Sequence, residues 1–435
     1  MRTLRFFLFF TLLALTSLGS CSNDIPKAMK PVPVVPDENT VFNDNDSLSR
    51  DLSVSSTCPS FRFRFAPEDS DCDDEATANA TMTHLVEDIG CVYGDHSTTK
   101  YNYVLVVDSR GLWWDYDDKK KCHIFMMSSS ATSGDYGLYS WGDDSDANFY
   151  IKDPESCELI EHFTYCALYA IIADNNDDDP RVRVYSIEYN QSTGAILTAY
   201  PHAPTHVRTF NTATLGTLGG VTGILYNNVN NDYQIFVCDT ENKVVRIFDD
   251  GGNEVATLND FDSGDIPIDV TVVQYSTTEG YLYVAVADSS NRANDYVYVY
   301  RGEVGTANQP LDWDEPKGKA RPYQQGSYEP FPYLINIAVR EYNFHDGLTV
   351  VALMKDTDDG YGVIMRQVDF RGETEANCIY YDNDFASCEP DSGGRTTGRP
   401  EGLALGNRSG NYFYYVGDRN EDVNSSNSNV IAYGN

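Results

Sequence analysis

An all-β fold, a propeller of six blades, is the architecture this sequence predicts, on three observations. Beyond about residue 80 the chain shows no long amphipathic helix, only short runs of Val, Ile, Tyr and Phe separated by Gly, Asn and Asp. An apolar strand ending in Asp recurs six times, as YVLVVD at Asp108, YAIIAD at Asp174, IFVCD at Asp239, YVAVAD at Asp288, VVALMKD at Asp356 and YFYYVGD at Asp418, at intervals of 49 to 68 residues. Each is followed by a polar turn and a second apolar strand (CHIFMM, RVRVYSI, KVVRIFD, YVYVYRG, YGVIMRQVD, NVIAYG), and in four repeats VTGILYNN, IDVTVVQY, PYLINIAV or PEGLALGN precedes the pair. One small sheet cannot bury both of its faces, so repeated sheets must stack round an axis, and their strands then read as near-continuous apolar runs. A β-sandwich would share the composition, but it gives no reason for the repeated place of the Asp.

In chain order, residues 1–20 carry Arg2 and Arg5, an apolar run from Phe6 to Leu15 and small residues before Cys21, the pattern of a secretory signal. The run spans about ten residues, where a membrane-crossing helix needs about 20. The Leu-Gly-Ser-Cys ending resembles a bacterial lipobox, which implies lipidation of Cys21. The other reading is an ordinary cleavage site that precedes a Cys. Export is expected either way, to the outer membrane or cell surface if lipidated and to the periplasm or medium if not. Residues 21–57, with Pro31, Pro33 and Pro36 among Asp, Asn and Ser, read as a disordered tether. Residues 58–435 hold the propeller. The sixth repeat stops at Asn435 without the outer strand that GNEVATL and GAILTAY supply to the third and second, so residues 61–65, Phe-Arg-Phe-Arg-Phe, are expected to pair with Val430–Tyr433 and join the chain ends.

The third repeat, VTGILYNNVNNDYQIFVCDTENKVVRIFDDGGNEVATL, resembles an NHL repeat over Val221 to Leu258. Its Gly-containing strand, its strand end of the Y-V-A-D-T kind, its Asn and basic residue, and its apolar strand leading to a Gly turn all follow that pattern. The fourth and sixth repeats match more loosely, and the first, second and fifth keep mainly the Asp. The resemblance implies a six-bladed propeller of NHL or TolB-like type. It also implies that Cys238 takes a place normally held by Ala in a packed inner strand, and is therefore a small buried free thiol.

None of the ten cysteines shows CxxC spacing, and export favours disulfides. Cys157 with Cys166, and Cys378 with Cys388, are close enough in sequence to staple local loops. A formal net charge of −35 excludes nucleic acid as a partner, because phosphate binding needs clustered positive charge. It also leaves a lipid on Cys21 as the only expected route to a membrane. No G-x-S-x-G or H-E-x-x-H accompanies the seven His. His202 and His206 are separated by Pro204, which prevents a shared helical face. Gly219-Gly220-Val221-Thr222-Gly223 has no helix behind it to cradle phosphate.

Hard oxygen ligands gather at Asp69–Glu75, Asp143–Asp146 and Asp174–Asp179 without the Gly of an EF-hand loop, as solvated loops or as weak calcium sites. Each strand-end Asp is expected to hold the following turn; the alternative is that some converge on the axis with a cation. PEGLAL resembles the E-G-L segment of calcium-dependent propeller hydrolases of phytase-like and lactonase-like type, which implies a metal set of Glu401, Asp239, Asp288 and Asp418.

Two functions are therefore expected. The first is an exported binding or scaffold module that takes a protein or small-molecule ligand on its axial face. The alternative is a calcium-dependent esterase or phosphatase using Glu401.

Overall fold

The computed structural model describes residues 60–65, 86–95, 100–109, 121–128, 139–142, 148–162, 166–176, 179–197, 204–210, 215–227, 230, 232–292, 295–322, 333–342, 347–355, 362–368, 378–379, 400–408, 411–418 and 429–434. They form a β-propeller. The first sheet contains β1's successors β2 (Val86–Asp95), β3 (Lys100–Asp108), β4 (Cys122–Ser128) and β5 (Tyr139–Trp141), where β1 is Ser60–Phe65. The second holds β6 (Pro154–His162), β7 (Ala167–Asp174), β8 (Arg181–Glu188) and β9 (Thr205–Phe210). The third holds β10 (Leu218–Asn227), β11 (Asp232–Asp239), β12 (Val244–Asp249) and β13 (Glu254–Leu258). In the fourth, β14 (Asp265–Ser276), β15 (Glu279–Asp288), β16 (Tyr296–Glu303) and β17 (Asp312–Pro322) are joined by the two-residue β21 (Cys378–Ile379). The fifth holds β18 (Leu334–Tyr342), β19 (Gly347–Lys355) and β20 (Gly362–Val368). The sixth holds β22 (Pro400–Arg408), β23 (Asn411–Asp418) and β24 (Asn429–Gly434), with β1 along its outer edge.

All sheets are antiparallel meanders except for the parallel β17–β21 pair. Their first strands pack in a closed circuit, β2 on β6, β6 on β10, β10 on β14, β14 on β18, β18 on β22 and β22 back on β2. This follows from composition: β3, β7, β11, β15 and β19 carry Val, Ile, Leu, Tyr and Ala with both faces buried, and the apolar clusters lie between consecutive sheets. Tyr281, Tyr283 and Ala285 of the fourth sheet, for example, pack on Leu348, Val350 and Ala352 of the fifth.

The N-terminal strand β1 runs antiparallel to β24, with Phe61 opposite Tyr433, Arg64 opposite Ile431 and Phe65 opposite Val430. A register shift between Phe61 and Phe63 interrupts the alternation that the sequence suggests.

Cys157 and Cys166 are both buried free thiols, which corrects the expected staple between them. They belong to one hairpin, but Cys157 lies opposite Ile172, six residues along β7 from Cys166. That separation is roughly 20 Å at strand rise, whereas a disulfide needs Cα atoms within about 7 Å. Cys238 is a fully buried free thiol on β11 whose pKa burial pushes up. The signal segment, Cys21, the tether, Asp356 and the Cys378–Cys388 pairing lie outside the described residues.

A candidate active site on the propeller axis

Every first strand has a register irregularity near its start, between Val86 and Asp88, Pro154 and Ser156, Leu218 and Val221, Pro267 and Asp269, Leu334 and Asn336, and Pro400 and Gly402. A bulge re-aims the side chain beside it. The six residues so placed, Asp88, Ser156, Gly220, Asp269, Asn336 and Gly402, form a belt round the axis.

The belt is stitched by hydrogen bonds between sheets. Ser156 Oγ donates to Asp88 Oδ2 at 2.6 Å, and the Cys157 N–H donates to the same oxygen at 3.0 Å. The Val221 N–H donates to Ser156 Oγ at 3.1 Å, which brings in the third sheet. The Ile337 N–H donates to Asp269 Oδ2 at 2.7 Å, linking the fourth and fifth. Asn336 Nδ2 donates to Asp88 Oδ1 at 3.0 Å, linking the fifth to the first.

A third carboxyl, Glu158, stands two residues beyond Ser156 on β6, half-buried and accepting the Leu159 N–H at 2.8 Å. Each of the three acids faces a glycine on the preceding sheet. A Cβ on Gly402 would fall 2.8 Å from Asp88 Cα, one on Gly90 2.8 Å from Glu158 Cα, and one on Gly220 2.5 Å from Asp269 Cα. These glycines let the first strands approach closely enough for the acids to interact.

Their electrostatics follow from that approach. Burial pushes the Asp88 carboxyl up to about 6, while its bonds from Ser156, Cys157, Ile89 and Asn336 hold it down. Burial, aided by the Asp88 charge, pushes Glu158 up to about 8. Burial raises Asp269 well above the carboxylate range, and the charges of Asp88 and Glu158 add to the rise. Near neutral pH the belt therefore holds a carboxyl that keeps its proton beside one that has lost it. That separation of pKa values in one site is the arrangement needed to give and take a proton.

The strand-end carboxylates take a different role. Asp239, fully buried, accepts from the Asn242 N–H at 3.1 Å and Arg246 Nε at 2.8 Å. Asp174 accepts the Lys152 and Asp153 N–H groups at 3.0 and 2.9 Å and Arg181 Nε at 3.1 Å. Asp288 accepts the Ser290 N–H at 2.8 Å and Ser290 Oγ at 2.6 Å. Asp239 and Asp288 hold the turns that follow them, whereas Asp174 fixes the segment that leads into β6. Glu401 is the bulged residue of β22, next to Pro400, which lies opposite Asp418; of Asp418 only the backbone is described. The structure thus spreads the expected metal set over the third, fourth and sixth sheets. Among the described residues no three His, Cys, Asp or Glu side chains gather as a ligand group. His206 sits on β9 bonded to Thr209, and Gly219–Gly223 lies within β10.

At the start of β18 the backbone is strained. Tyr333 has φ +62°, which costs a bulky residue about 1–2 kcal/mol. It is held there by Asp295, which accepts the Leu334 N–H at 2.9 Å, and by Arg292, whose Nη2 donates to the Leu334 carbonyl at 2.7 Å. The Arg292 guanidinium lies 5.1 Å from the Tyr333 ring centroid, a contact worth about 0.5–1 kcal/mol when part-exposed. The stacking returns less than the backbone costs. In the third sheet the Asn175 side chain binds both backbone groups of Leu218 in the same way, at 2.7 and 2.8 Å, without a strained aromatic.

No protein family matches the chain, and no curated protein does. The NHL or TolB-like type expected from the third repeat is therefore not supported. Solved structures do show similarity. An α-L-arabinanase from Penicillium chrysogenum complexed with arabinobiose is 9% identical, over 87% of this chain and 98% of that chain, with a TM-score of 0.49. A luciferin-regenerating enzyme is 11% identical over 82% and 93%, with a TM-score of 0.42. A GH43 β-xylosidase/α-arabinofuranosidase from a compost metagenome, in calcium-free form, is 8% identical over 81% and 94%, with a TM-score of 0.36. At such identities the likeness concerns fold alone. These proteins are enzymes by name, and the expectation of a non-enzymatic binding or scaffold module stands against that finding.

Proposed function

We propose that the chain is a six-bladed propeller hydrolase that cleaves glycosidic bonds at its axial belt, with Glu158 as general acid and Asp88 as the ionised carboxylate opposing it. The observation that carries this reading is the close approach of two enclosed carboxyls on adjacent first strands, Asp88 held by Ser156, Cys157 and Asn336 and Glu158 by the Leu159 N–H, with burial pushing both above the ordinary carboxylate range. Glycoside hydrolysis is the reaction class that asks for a carboxyl that holds its proton and a second that does not. Asp269 adds a third acid whose raised pKa keeps excess negative charge out of the site. Six sheets with first strands in a closed circuit support the blade count.

Protonated Glu158, half-buried, would give its proton to the leaving oxygen. Asp88, oriented by Ser156, Cys157 and Asn336, would support the developing positive charge on the sugar or deprotonate water. Calcium enters this reading only as an ion bound elsewhere, in the acidic loops, where it would raise the melting temperature more than sodium does at matched ionic strength. Export through residues 1–20, with acylation of Cys21, belongs to the same reading, since glycan polymers lie outside the cell; mass spectrometry of the mature N-terminus tests it.

Arabino-, xylo- and galacto-configured aryl glycosides and the corresponding polysaccharides are the first substrates to assay. The expected kcat/KM profile is a bell with limbs near pH 6 and 8, which belong to the interacting pair. Glu158→Gln should abolish hydrolysis of glycosides with poor leaving groups while sparing dinitrophenyl glycosides, which leave unaided. Wild-type rates in folded Asp88→Asn and Glu158→Gln, or no hydrolysis of any substrate by the wild-type chain, would overturn the proposal.

A further inference from the structure

Tyr333 occupies a backbone conformation that Gly would adopt freely, and the only contact recorded for its ring among the described residues returns less than that conformation costs. An aromatic side chain is kept there against the local energetics. The ring is half-buried, and its residue lies three positions before Asn336, at most about 10 Å along the backbone from the belt. Arg292 is fixed through Nε by Asp295 at 2.9 Å and through Nη2 by the Leu334 carbonyl; among the described residues Nη1 has no partner. The guanidinium lies over one face of the ring, and the other face meets no ring or cation among the described residues.

We infer that Tyr333, backed by Arg292 on one face, forms a subsite for a neutral sugar ring of the substrate, stacked on the face of the tyrosine away from the guanidinium. The inference rests on the glycan reading above. A neutral ring is favoured over an anionic one for two reasons. Asp295 already balances the Arg292 charge, and a chain of net charge −35 repels anionic polymers. Arg292 also holds β18 in place, so the informative substitutions are at Tyr333.

Isothermal titration of the full chain with neutral arabino-, xylo- and galacto-oligosaccharides, and with an acidic oligogalacturonide, reads the site directly. At least one neutral oligosaccharide should bind, and the acidic one should bind more weakly. Tyr333→Phe should bind as wild type. Tyr333→Gly should weaken binding about tenfold or more, with an unchanged or higher melting temperature, because Gly relieves the strain. Wild-type affinity in Tyr333→Gly, tighter binding of the oligogalacturonide, or no neutral oligosaccharide bound by the wild-type chain would overturn the subsite. Fully active Glu158→Gln with impaired binding in Tyr333→Gly would remove the catalytic reading and leave the subsite standing; the converse would do the opposite.

Discussion

Asn336 and Asp88 stand 248 residues apart in the chain and meet at 3.0 Å, the amide of the fifth sheet donating to the carboxylate of the first. The sixth sheet lies between them in the circuit, and its belt residue is Gly402, which has no side chain to block the reach. Removing the donor leaves Asp88 Oδ1 buried without it. Asn336→Ala should therefore destabilise the fold by about 1–3 kcal/mol, read as a lower denaturant midpoint at unchanged slope. It also removes a bond that favours ionised Asp88, so the acidic limb of any activity profile should move to higher pH. A midpoint equal to wild type would show that the bond closes nothing.

The glycines opposite the acids make a sharper test of packing. A methyl on Gly402 would meet the backbone of Asp88 and Ile89 at 2.8 Å, and one on Gly220 the Asp269 backbone at 2.5 Å. Backbone cannot rotate away as a side chain tip can, so both alanine variants should lose about 1–3 kcal/mol or more. Gly305 has nothing within 4 Å of its added Cβ, and Gly305→Ala should be nearly neutral. Equal thermal melts for the three variants would contradict the close approach of the first strands.

Stability should fall as pH rises, and the sign follows from the direction of the shifts. Glu158 and Glu161 have folded pKa values of about 8 and about 7, above those of an unfolded Glu at about 4.3. Between those limits the folded chain binds more protons than the unfolded one. Their contribution is therefore full below about pH 4 and is lost as pH climbs through 7 and 8. Tyr189 donates to Glu161 at 2.7 Å, which moderates but does not reverse that shift. Glu158→Gln should flatten the decline between pH 6 and 9 in a melting series. A melting temperature that rises across that range in the wild type would count against the raised values.

The thiols give an independent check on packing. Cys122, Cys157 and Cys238 are buried, with pKa values pushed up by burial. An uncharged, enclosed thiol reacts slowly, so all three should resist alkylation in the native protein and label together on unfolding. Rapid native labelling of Cys238 would misplace β11.

Much of the fold was legible because burial of both sheet faces writes apolar runs into β3, β7, β11 and β15, and the Asp that ends β11 or β15 holds the turn that follows, while Asp174 at the end of β7 holds the segment before β6. The site was less so. The strand-end carboxylates are conspicuous in the sequence, while the belt acids sit inside the preceding strand. A signal was present: VEDIGC, PESCELIEH and IPIDVTV each place an acid within an apolar strand, where a charge is costly unless it is satisfied or used. The bulges that aim those acids at the axis leave no mark in composition. The Cys157–Cys166 expectation failed because nearness in sequence ignores the length of the two strands that a short turn joins.

The last test concerns β1. It is the only strand of the N-terminal 85 residues among those described, and it covers the outer edge of β24. Without it, β24 would present unpaired N–H and C=O groups from Val430 to Gly434, an edge open to other chains. The sixth sheet would also keep only strands from the C-terminal part of the chain, and β1 is what ties the two parts into one sheet. A chain starting at residue 58 should melt as the full chain does, because residues 21–57, with Pro31, Pro33 and Pro36 among Asp, Asn and Ser, carry little apolar periodicity to pack. A chain starting at residue 66 should melt at a markedly lower temperature and associate at high concentration, with light scattering reporting the exposed edge. Supplying a Ser60–Phe65 peptide in excess should restore part of the loss by mass action. Equal melting of the two truncated chains would mean that β1 rests on the sheet without holding it.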